Sequence, residues 1–228
     1  MAVYTKLSKE QLVNFFEKYD LGKLLNFNEI TDGIENTNYF IKTEKGKFIL
    51  TLYEKRVDEK DLPFFIGLMK NLFNENFPSP EPIINKNGNY ISEILGKKAA
   101  VVSFLEGKAK KILSPMDCYN VGIGTAKMHM ITKNLPGKRI NKLSINSWKN
   151  IYNRVKNDCS KIHPNLGDVI EKNLIEIEKN WPKNLPSGII HADLFPDNIF
   201  FRNNELSGII DFYFSCNDFY AFEIAVCL

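Results

Sequence analysis

A chain of 228 residues, 44% hydrophobic and 25% charged, is long enough for one large or two small globular domains. Its composition excludes disordered, collagen-like and disulfide-scaffold proteins. Thirty Lys and Arg against 27 Asp and Glu leave a net charge of +3 with the lysines scattered, which offers no basic patch for nucleic acid. The four cysteines, Cys118, Cys159, Cys216 and Cys227, show no C-x-x-C spacing and fit a reducing compartment. The first ten residues lack the apolar core of a signal peptide, and no apolar run reaches the roughly 18–20 residues that span a bilayer. The expectation is a soluble, cytoplasmic protein with neither nucleic acid nor membrane as partner.

The chain opens with a helix. Ser8 and Gln11 form a capping box, Leu12, Phe15, Phe16 and Tyr19 recur at helical spacing, and Gly22 marks the stop. Three short strands follow at 27–31, 39–43 and 48–53, separated by Asp32-Gly33 and by Glu44-Lys45-Gly46. Asp61-Leu62-Pro63 opens a second helix with Phe64, Phe65, Leu68, Leu72 and Phe73 as its buried stripe, ended by Pro78, Pro80 and Pro82. A hairpin is expected from 83–84 and 90–95 around Asn87-Gly88, then a strand over 99–104.

Near Glu106-Gly107 the pattern turns mainly helical. Ser114 and Asp117 cap a helix running to about Ile131, Ser147 caps another starting at Trp148, and a third covers 169–179. Three short strand-like pieces close the pattern, at 188–191, 199–202 and 206–211. The order predicts an α+β fold of two lobes: residues 1–103 with a helix and an antiparallel sheet, a hinge at 104–107, and a helical lobe over 108–228. Ligands commonly bind between such lobes.

Chemistry concentrates in one segment, Ile190-His191-Ala192-Asp193-Leu194-Phe195-Pro196-Asp197-Asn198, followed by Ile209-Ile210-Asp211-Phe212. Asp193 and Asn198 share one loop between two strands, and Asp211 ends the next apolar strand. Three oxygen donors at strand ends suit a hard cation such as Mg²⁺ completed by phosphates and water. The spacing H-x-D-x-x-x-x-N and a following Asp-Phe pair have the layout of the kinase catalytic loop and its metal-binding aspartate. Tyr213 stands where protein kinases carry the Gly of Asp-Phe-Gly, which argues against a mobile activation loop. The turn over Gly33-Ile34-Glu35-Asn36-Thr37-Asn38 joins two strands where a loop could cover phosphates, and 103–107 lies where a hinge could offer backbone groups to an adenine. No G-x-S-x-G occurs, and His129, His163 and His191 lack zinc-site spacing.

Those residues resemble the aminoglycoside-phosphotransferase-like kinases, a small-molecule branch of the protein-kinase-like fold. The segments GIENTNYF (33–40), FILTLYE (48–54), DLPFF (61–65), HADLF (191–195) and GIIDFYF (208–214) through Cys216-Asn217-Asp218 are similar to the homoserine kinases of that branch. The resemblance implies ATP and Mg²⁺ as cofactors and homoserine, a small molecule, as phosphoryl acceptor. It implies Asp193 as the catalytic residue handling the hydroxyl proton, and Asn198 and Asp211 as metal ligands. Gly33, Glu35, Asn36, Thr37, Asn38, Thr51, Ser103 and Leu105 would line the nucleotide, and Arg139 and Asp218 are the candidates for the acceptor.

Two departures accompany the likeness. Kinases of this fold usually place a Lys on the third strand, where this chain has Thr51; Lys42, Lys55 and Arg56 are candidate substitutes. Kinases of this resemblance also continue past the point where Ala225-Val226-Cys227-Leu228 stops. The expectation is therefore a truncated chain whose Phe222 and Val226 lie more exposed than in a finished fold. Two alternatives stay open: a related kinase for choline, a sugar or an aminoglycoside, and a non-catalytic nucleotide-binding fragment.

Overall fold

Period-2 and period-3.6 segments sort into sheet and helix much as their spacing requires. A computed structural model describes residues 3–31, 35–54 and 57–228. Helix α1 (Lys9–Phe16) carries the expected capping box at Ser8 and Gln11 and buries Leu12, Phe15 and Phe16. Strands β1 (Leu24–Ile30), β2 (Thr37–Thr43) and β3 (Gly46–Leu52) form an antiparallel meander. Helix α2 (Leu62–Asn74) leads to β4 (Ile91–Ile94) and β5 (Lys97–Ser103), completing a five-stranded sheet in the order β1-β2-β3-β5-β4.

Strand β5 is apolar on both faces because both faces are covered. Ala99 and Val101 join a cluster with α1, Tyr39, Ile41, Leu50 and Leu52. Ala100 and Val102 face the opposite way, against Leu62, Phe65, Leu68, Met69 and Leu72 of α2. That second cluster continues without a break into Met128, Ile189, Leu194, Ile209 and Phe212 of the mainly helical part. The loops carrying Asp193 and Asp211 are thus seated on the same core as α2.

The rest of the chain is β6 (Lys108–Ala109), α3 (Pro115–Thr132), α4 (Ile145–Val155), α5 (Leu166–Asn180), β7 (Ser187–Ile190), β8 (Ile199–Arg202), β9 (Glu205–Ile209), β10 (Cys216–Phe219) and α6 (Tyr220–Cys227). Strands β6, β8 and β9 form one small antiparallel sheet, and β7 pairs with β10 in another. The α+β arrangement is the one expected. Among the described residues no helix is long and apolar enough to cross a membrane. All four cysteines are unpaired, Cys159 and Cys216 buried, Cys118 and Cys227 exposed.

Several local expectations are corrected. The hairpin is formed by β4 and β5 across Leu95-Gly96, both at positive φ (51° and 72°), the backbone a two-residue hairpin turn requires. Asn87-Gly88 belongs instead to a loop that Asn85 closes, its side-chain oxygen accepting from the backbone N–H of Asn87 and Asn89. Ile83 pairs with β5 through Val101 rather than with 90–95. Helix α4 starts three residues earlier than Ser147 and Trp148 suggested, flanked by Ser144. Helix α5 starts at Leu166, a first turn hidden by Gly167, a poor helix former. At the last turn of α2, Phe73 faces solvent rather than the core. In α6, Phe222 and Val226 are half-buried while Ile224 is exposed, as is Leu228 after its last turn.

Strand β7 approaches α6 at Gly188, where a Cβ would lie 2.1 Å from the Tyr220 hydroxyl and 2.7 Å from its ring carbon Cζ. Tyr220 in turn stacks on His129 at 4.2 Å. Gly188→Ala is expected to displace that ring and cost about 1–3 kcal/mol, read from urea unfolding midpoints; an unchanged midpoint would contradict the packing described.

Candidate active site

Strand β7 delivers the chain into the loop His191–Asn198, and the loop's start is fixed from behind. His191 is fully buried. Burial depresses its basicity, so the neutral ring donates from Nε2 to the Ile210 carbonyl at 2.8 Å. Its ring also packs on Phe212 at 4.9 Å. The backbone N–H groups of His191 and Ala192 both donate to the carboxylate of Glu223, which is 0% exposed on α6. Ala192, at φ 64°, occupies a left-handed conformation that this two-point grip holds in place. His129 Nε2 lies 3.6 Å from Glu223, too far for a hydrogen bond.

The loop then brings Asp193 and Asn198 together. Asn198 Nδ2 donates to the Asp193 carbonyl at 2.8 Å and to its Oδ2 at 3.0 Å. The Phe195 N–H closes the same turn on the Asp193 carbonyl at 2.9 Å. Asp211 follows β9, and the Ile210 N–H donates to the Asn198 carbonyl at 3.0 Å, tying the two segments side by side. Asp211 itself is left-handed, φ 64° and ψ 57°.

Both aspartates are held well above the ordinary carboxylate range, at about 6. For Asp193 burial is the largest cause, opposed by the Asn198 hydrogen bond and reinforced by Asp197, Glu35 and Glu223. For Asp211 burial again leads, then repulsion from Asp193, relieved in part by the Tyr213 N–H and increased by Glu35 and Asp197. Asp211 Oδ1 is buried without a hydrogen-bond partner. An orphaned carboxylate oxygen beside other carboxylates fits a divalent cation. Among the described residues no group of three or more His, Cys, Asp or Glu forms a complete metal cage. A cation there would rest on Asn198 and Asp211, with phosphate and water oxygens supplying the remainder.

The residues expected around the nucleotide divide by face. Gly33 lies outside the described residues. Glu35 is half-buried and within electrostatic reach of Asp193 and Asp211. Asn36 is buried, its Oδ1 accepting from the Glu54 N–H at 3.2 Å. Thr37 is fully buried: its hydroxyl donates to Glu54 Oε1 at 2.8 Å and accepts from the N–H of Tyr4 and Thr5. These two side chains hold the base of the turn from within. Glu54 is paired with Lys97, and this contact with the hydroxyls of Thr37 and Thr5 outweighs burial in keeping its carboxylate acidic. Asn38 and Thr51 are cross-strand partners on β2 and β3, with Thr51 Oγ1 donating to Asn38 Oδ1 at 2.8 Å. Ser103 ends β5 and accepts from the Glu81 N–H at 2.9 Å through its hydroxyl. Leu105 lies against Gly208, where a Cβ would come within 2.9 Å of it.

The candidate cations and acceptor residues are placed differently from the loop. Lys42 is exposed and pairs across the strand with Lys47, near the hairpin turn that joins β2 to β3. Lys55 and Arg56 lie outside the described residues. Arg139 braces the structure: Nε donates to Asp61 Oδ2 at 2.8 Å, and Nη1 to the carbonyls of Phe214 and Ser215 at 3.1 and 3.0 Å. Its guanidinium lies 4.8 Å from the Phe65 ring centre. Burial works against the Asp61 charge, but Arg139 and Lys142 together hold its carboxyl below the usual range. Asp218 accepts from Asn141 Nδ2 at 2.7 Å and from the Phe219 N–H at 2.7 Å.

The profile of the "Phosphotransferase enzyme family" (APH) matches residues 26–228. The chain belongs to this phosphotransferase family. Curated relatives named homoserine kinase align over all 228 residues: that of Beijerinckia indica subsp. indica at 45% identity, of Nitrobacter hamburgensis at 43%, and of Rhizobium meliloti at 44%. The chain spans 70–71% of the length of these relatives. Among solved structures it is similar to the amicoumacin kinase hAmiN, with a TM-score of 0.75 at 14% identity, covering 97% of this chain and 68% of that one. It is also similar to spectinomycin phosphotransferase APH(9)-Ia, at 0.65 and 12%, covering 96% and 73%. The likeness to these structures is one of fold, the protein-kinase-like fold of small-molecule phosphotransferases.

Within this phosphotransferase, spacing assigns no partner to Glu223 or Tyr213. Glu223 is the one charged residue in the apolar stretch 220–228, a pattern that marks a buried carboxylate with fixed partners. Tyr213 follows the Asp-Phe pair and its hydroxyl accepts from the Tyr53 hydroxyl at 3.2 Å.

The raised aspartate values have a stability consequence. The folded-state pKa exceeds the unfolded one, so the folded state binds more protons between about pH 4 and 6, and stability declines as pH rises through that window. Asp211→Asn removes one buried charge and is expected to raise the Tm of ligand-free protein at pH 7.5 by about 2–5 °C. The gap to the unsubstituted protein should close as pH falls through 6; a variant less stable at pH 7.5 would contradict the electrostatic account.

Proposed function

We propose that the chain is a homoserine kinase, transferring the γ-phosphoryl group of ATP to the side-chain hydroxyl of L-homoserine and yielding ADP and O-phospho-L-homoserine for threonine synthesis. The observation that carries the reading is alignment of the entire chain at 43–45% identity with homoserine kinases. Likeness to the antibiotic kinases, at 12–14% identity, extends to fold alone.

The geometry supports the same chemistry. Asp193, oriented by Asn198 and raised to about 6, is a base matched to neutral pH. The homoserine hydroxyl oxygen forms the new bond to the γ-phosphorus, the bond to the ADP oxygen breaks, and the hydroxyl proton passes to the Asp193 carboxylate. Glu35–Asn38 lie over the phosphates, Thr51 lies beneath them, and the 104–107 hinge, which contains Leu105 and is preceded by Ser103, meets the adenine. Asn198 and Asp211 would hold Mg²⁺, which supplies charge neutralisation at the phosphates when bound. The protein's own work is positioning: the His191 ring, the Glu223 grip and the Asn198 amide fix Asp193 before substrate arrives. A cytoplasmic enzyme of two lobes divided at that hinge, acting on a small molecule, completes the reading.

The test is a coupled ADP assay with ATP and Mg²⁺ over homoserine, choline, sugars and aminoglycosides, with the product identified by ³¹P NMR. Turnover confined to homoserine is expected; turnover with another alcohol and none with homoserine would overturn the reading. Asp193→Asn is expected to lower kcat by about 10²–10⁴-fold while nucleotide affinity changes only a few-fold. With the unsubstituted enzyme, kcat/KM should fall about tenfold per pH unit below about pH 6, where Asp193 takes up a proton.

A further inference from the structure

The antiparallel ladder of β2 and β3 runs from Thr43 and Gly46 to Thr37 and Leu52 and stops there, at the end of the turn assigned to the phosphates. Around that end, side chains take over from the backbone. Thr51 Oγ1 donates to Asn38 Oδ1 at 2.8 Å, which ties the second residue of β2 to β3. The two residues before it are buried and both tied to Glu54. The Thr37 hydroxyl donates to Glu54 Oε1 at 2.8 Å, and the Glu54 N–H donates to Asn36 Oδ1 at 3.2 Å.

The remaining contacts of Glu54 fix it in turn. Its side chain is 8% exposed, and Oε1 also accepts from the Thr5 hydroxyl at 2.8 Å. Oε2 is paired with the ammonium of Lys97, the first residue of β5. The Thr37 hydroxyl accepts from the N–H groups of Tyr4 and Thr5 at 3.0 and 3.2 Å, closing the same cluster from the other side. Segments 4–5, 36–37, 54 and 97 therefore meet on one residue. A buried carboxylate is costly unless its oxygens are well supplied with donors. Here the donors come from the turn, the N-terminal segment and β5, and the charge is balanced locally by Lys97.

We propose that Glu54 is a positioning residue for nucleotide binding, holding the end of the phosphate turn in its receiving conformation through Asn36 and Thr37. What Glu54 passes to the turn is position rather than charge. Without it, ATP would have to order residues 35–38 as it bound, and affinity would fall by that cost. This rests on the kinase reading of the site and adds a residue to which that reading assigns no part.

The test separates anchoring of the turn from general stability. Glu54→Ala should weaken AMP-PNP with Mg²⁺, measured calorimetrically without any acceptor, by about tenfold, the scale of one charge-assisted hydrogen bond. The KM for ATP should rise by a similar factor while kcat stays within about threefold. Glu54→Gln keeps an oxygen for the hydroxyls and the same backbone N–H, so it should restore affinity to within about threefold. Thr37→Val cuts the tie from the turn side and should repeat the loss, which keeps the proposal open to refutation even where Glu54→Ala fails to fold. Thr5→Val removes a donor to the same Oε1 from outside the turn. It should lower Tm about as much as Thr37→Val and leave AMP-PNP affinity within about twofold. Unchanged affinity in Glu54→Ala or Thr37→Val, or an equal loss in Thr5→Val or Glu54→Gln, would overturn the proposal. Absence of homoserine turnover in an unsubstituted protein that still binds AMP-PNP would instead sink the choice of acceptor and leave the binding comparison to judge the anchor.

Discussion

Two carboxylates drawn partly out of water beside one another, Asp193 and Asp211, are the constraint around which the rest of the structure is arranged. Burial raises both to about 6, repulsion from Asp193 adds to the rise of Asp211, and neighbouring Glu35 and Asp197 add to the negative field. Left to relax, such a pair would separate or move into solvent. Here neither can move, because the loop bearing Asp193 is gripped by Glu223 and Asn198, and Asp211 is locked into a left-handed backbone beside Phe212, which is fully buried. Stability is given up locally so that a cation and phosphates meet a site already in position.

That local cost is carried by the core. Strand β5 presents Ala99 and Val101 to one cluster and Ala100 and Val102 to the other, and the second cluster runs through α2 into Leu194, Ile209 and Phe212. The residues flanking each functional aspartate are therefore core residues. Arg139 adds a polar tie between the same parts, joining Asp61 at the start of α2 to the carbonyls that follow Asp211. Its Nε and Nη1 donors are occupied in that tie, which makes Arg139 a brace of the site's outer wall.

What was legible in the sequence was what is local in the chain. The H-x-D-x-x-x-x-N spacing places Asp193 and Asn198 on one turn, and the capping boxes at Ser8 and Ser114 involve residues three apart. What was not legible depends on contacts across the fold. The bond between Arg139 and Asp61 spans 78 residues, that between Tyr53 and Tyr213 160, and the Glu223 grip on His191 32. No spacing rule reaches so far. The misplaced hairpin has the same origin: Asn87-Gly88 is a good turn signal, but β5 accepts Ile83 and β4 along one edge, and the hairpin turn falls at Leu95-Gly96. Asn36 and Thr37 carry the polarity of a ligand loop, and only the sheet shows that their side chains face inward toward Glu54.

The central claim, that two desolvated aspartates are poised for a cation, is tested most directly by titrating the carboxyl carbons of Asp193 and Asp211 by ¹³C NMR. The account predicts apparent values near 6 for the pair in ligand-free protein, with a marked fall on adding Mg²⁺ and AMP-PNP. Ordinary carboxylate values near 4, unmoved by the cation and nucleotide, would contradict it.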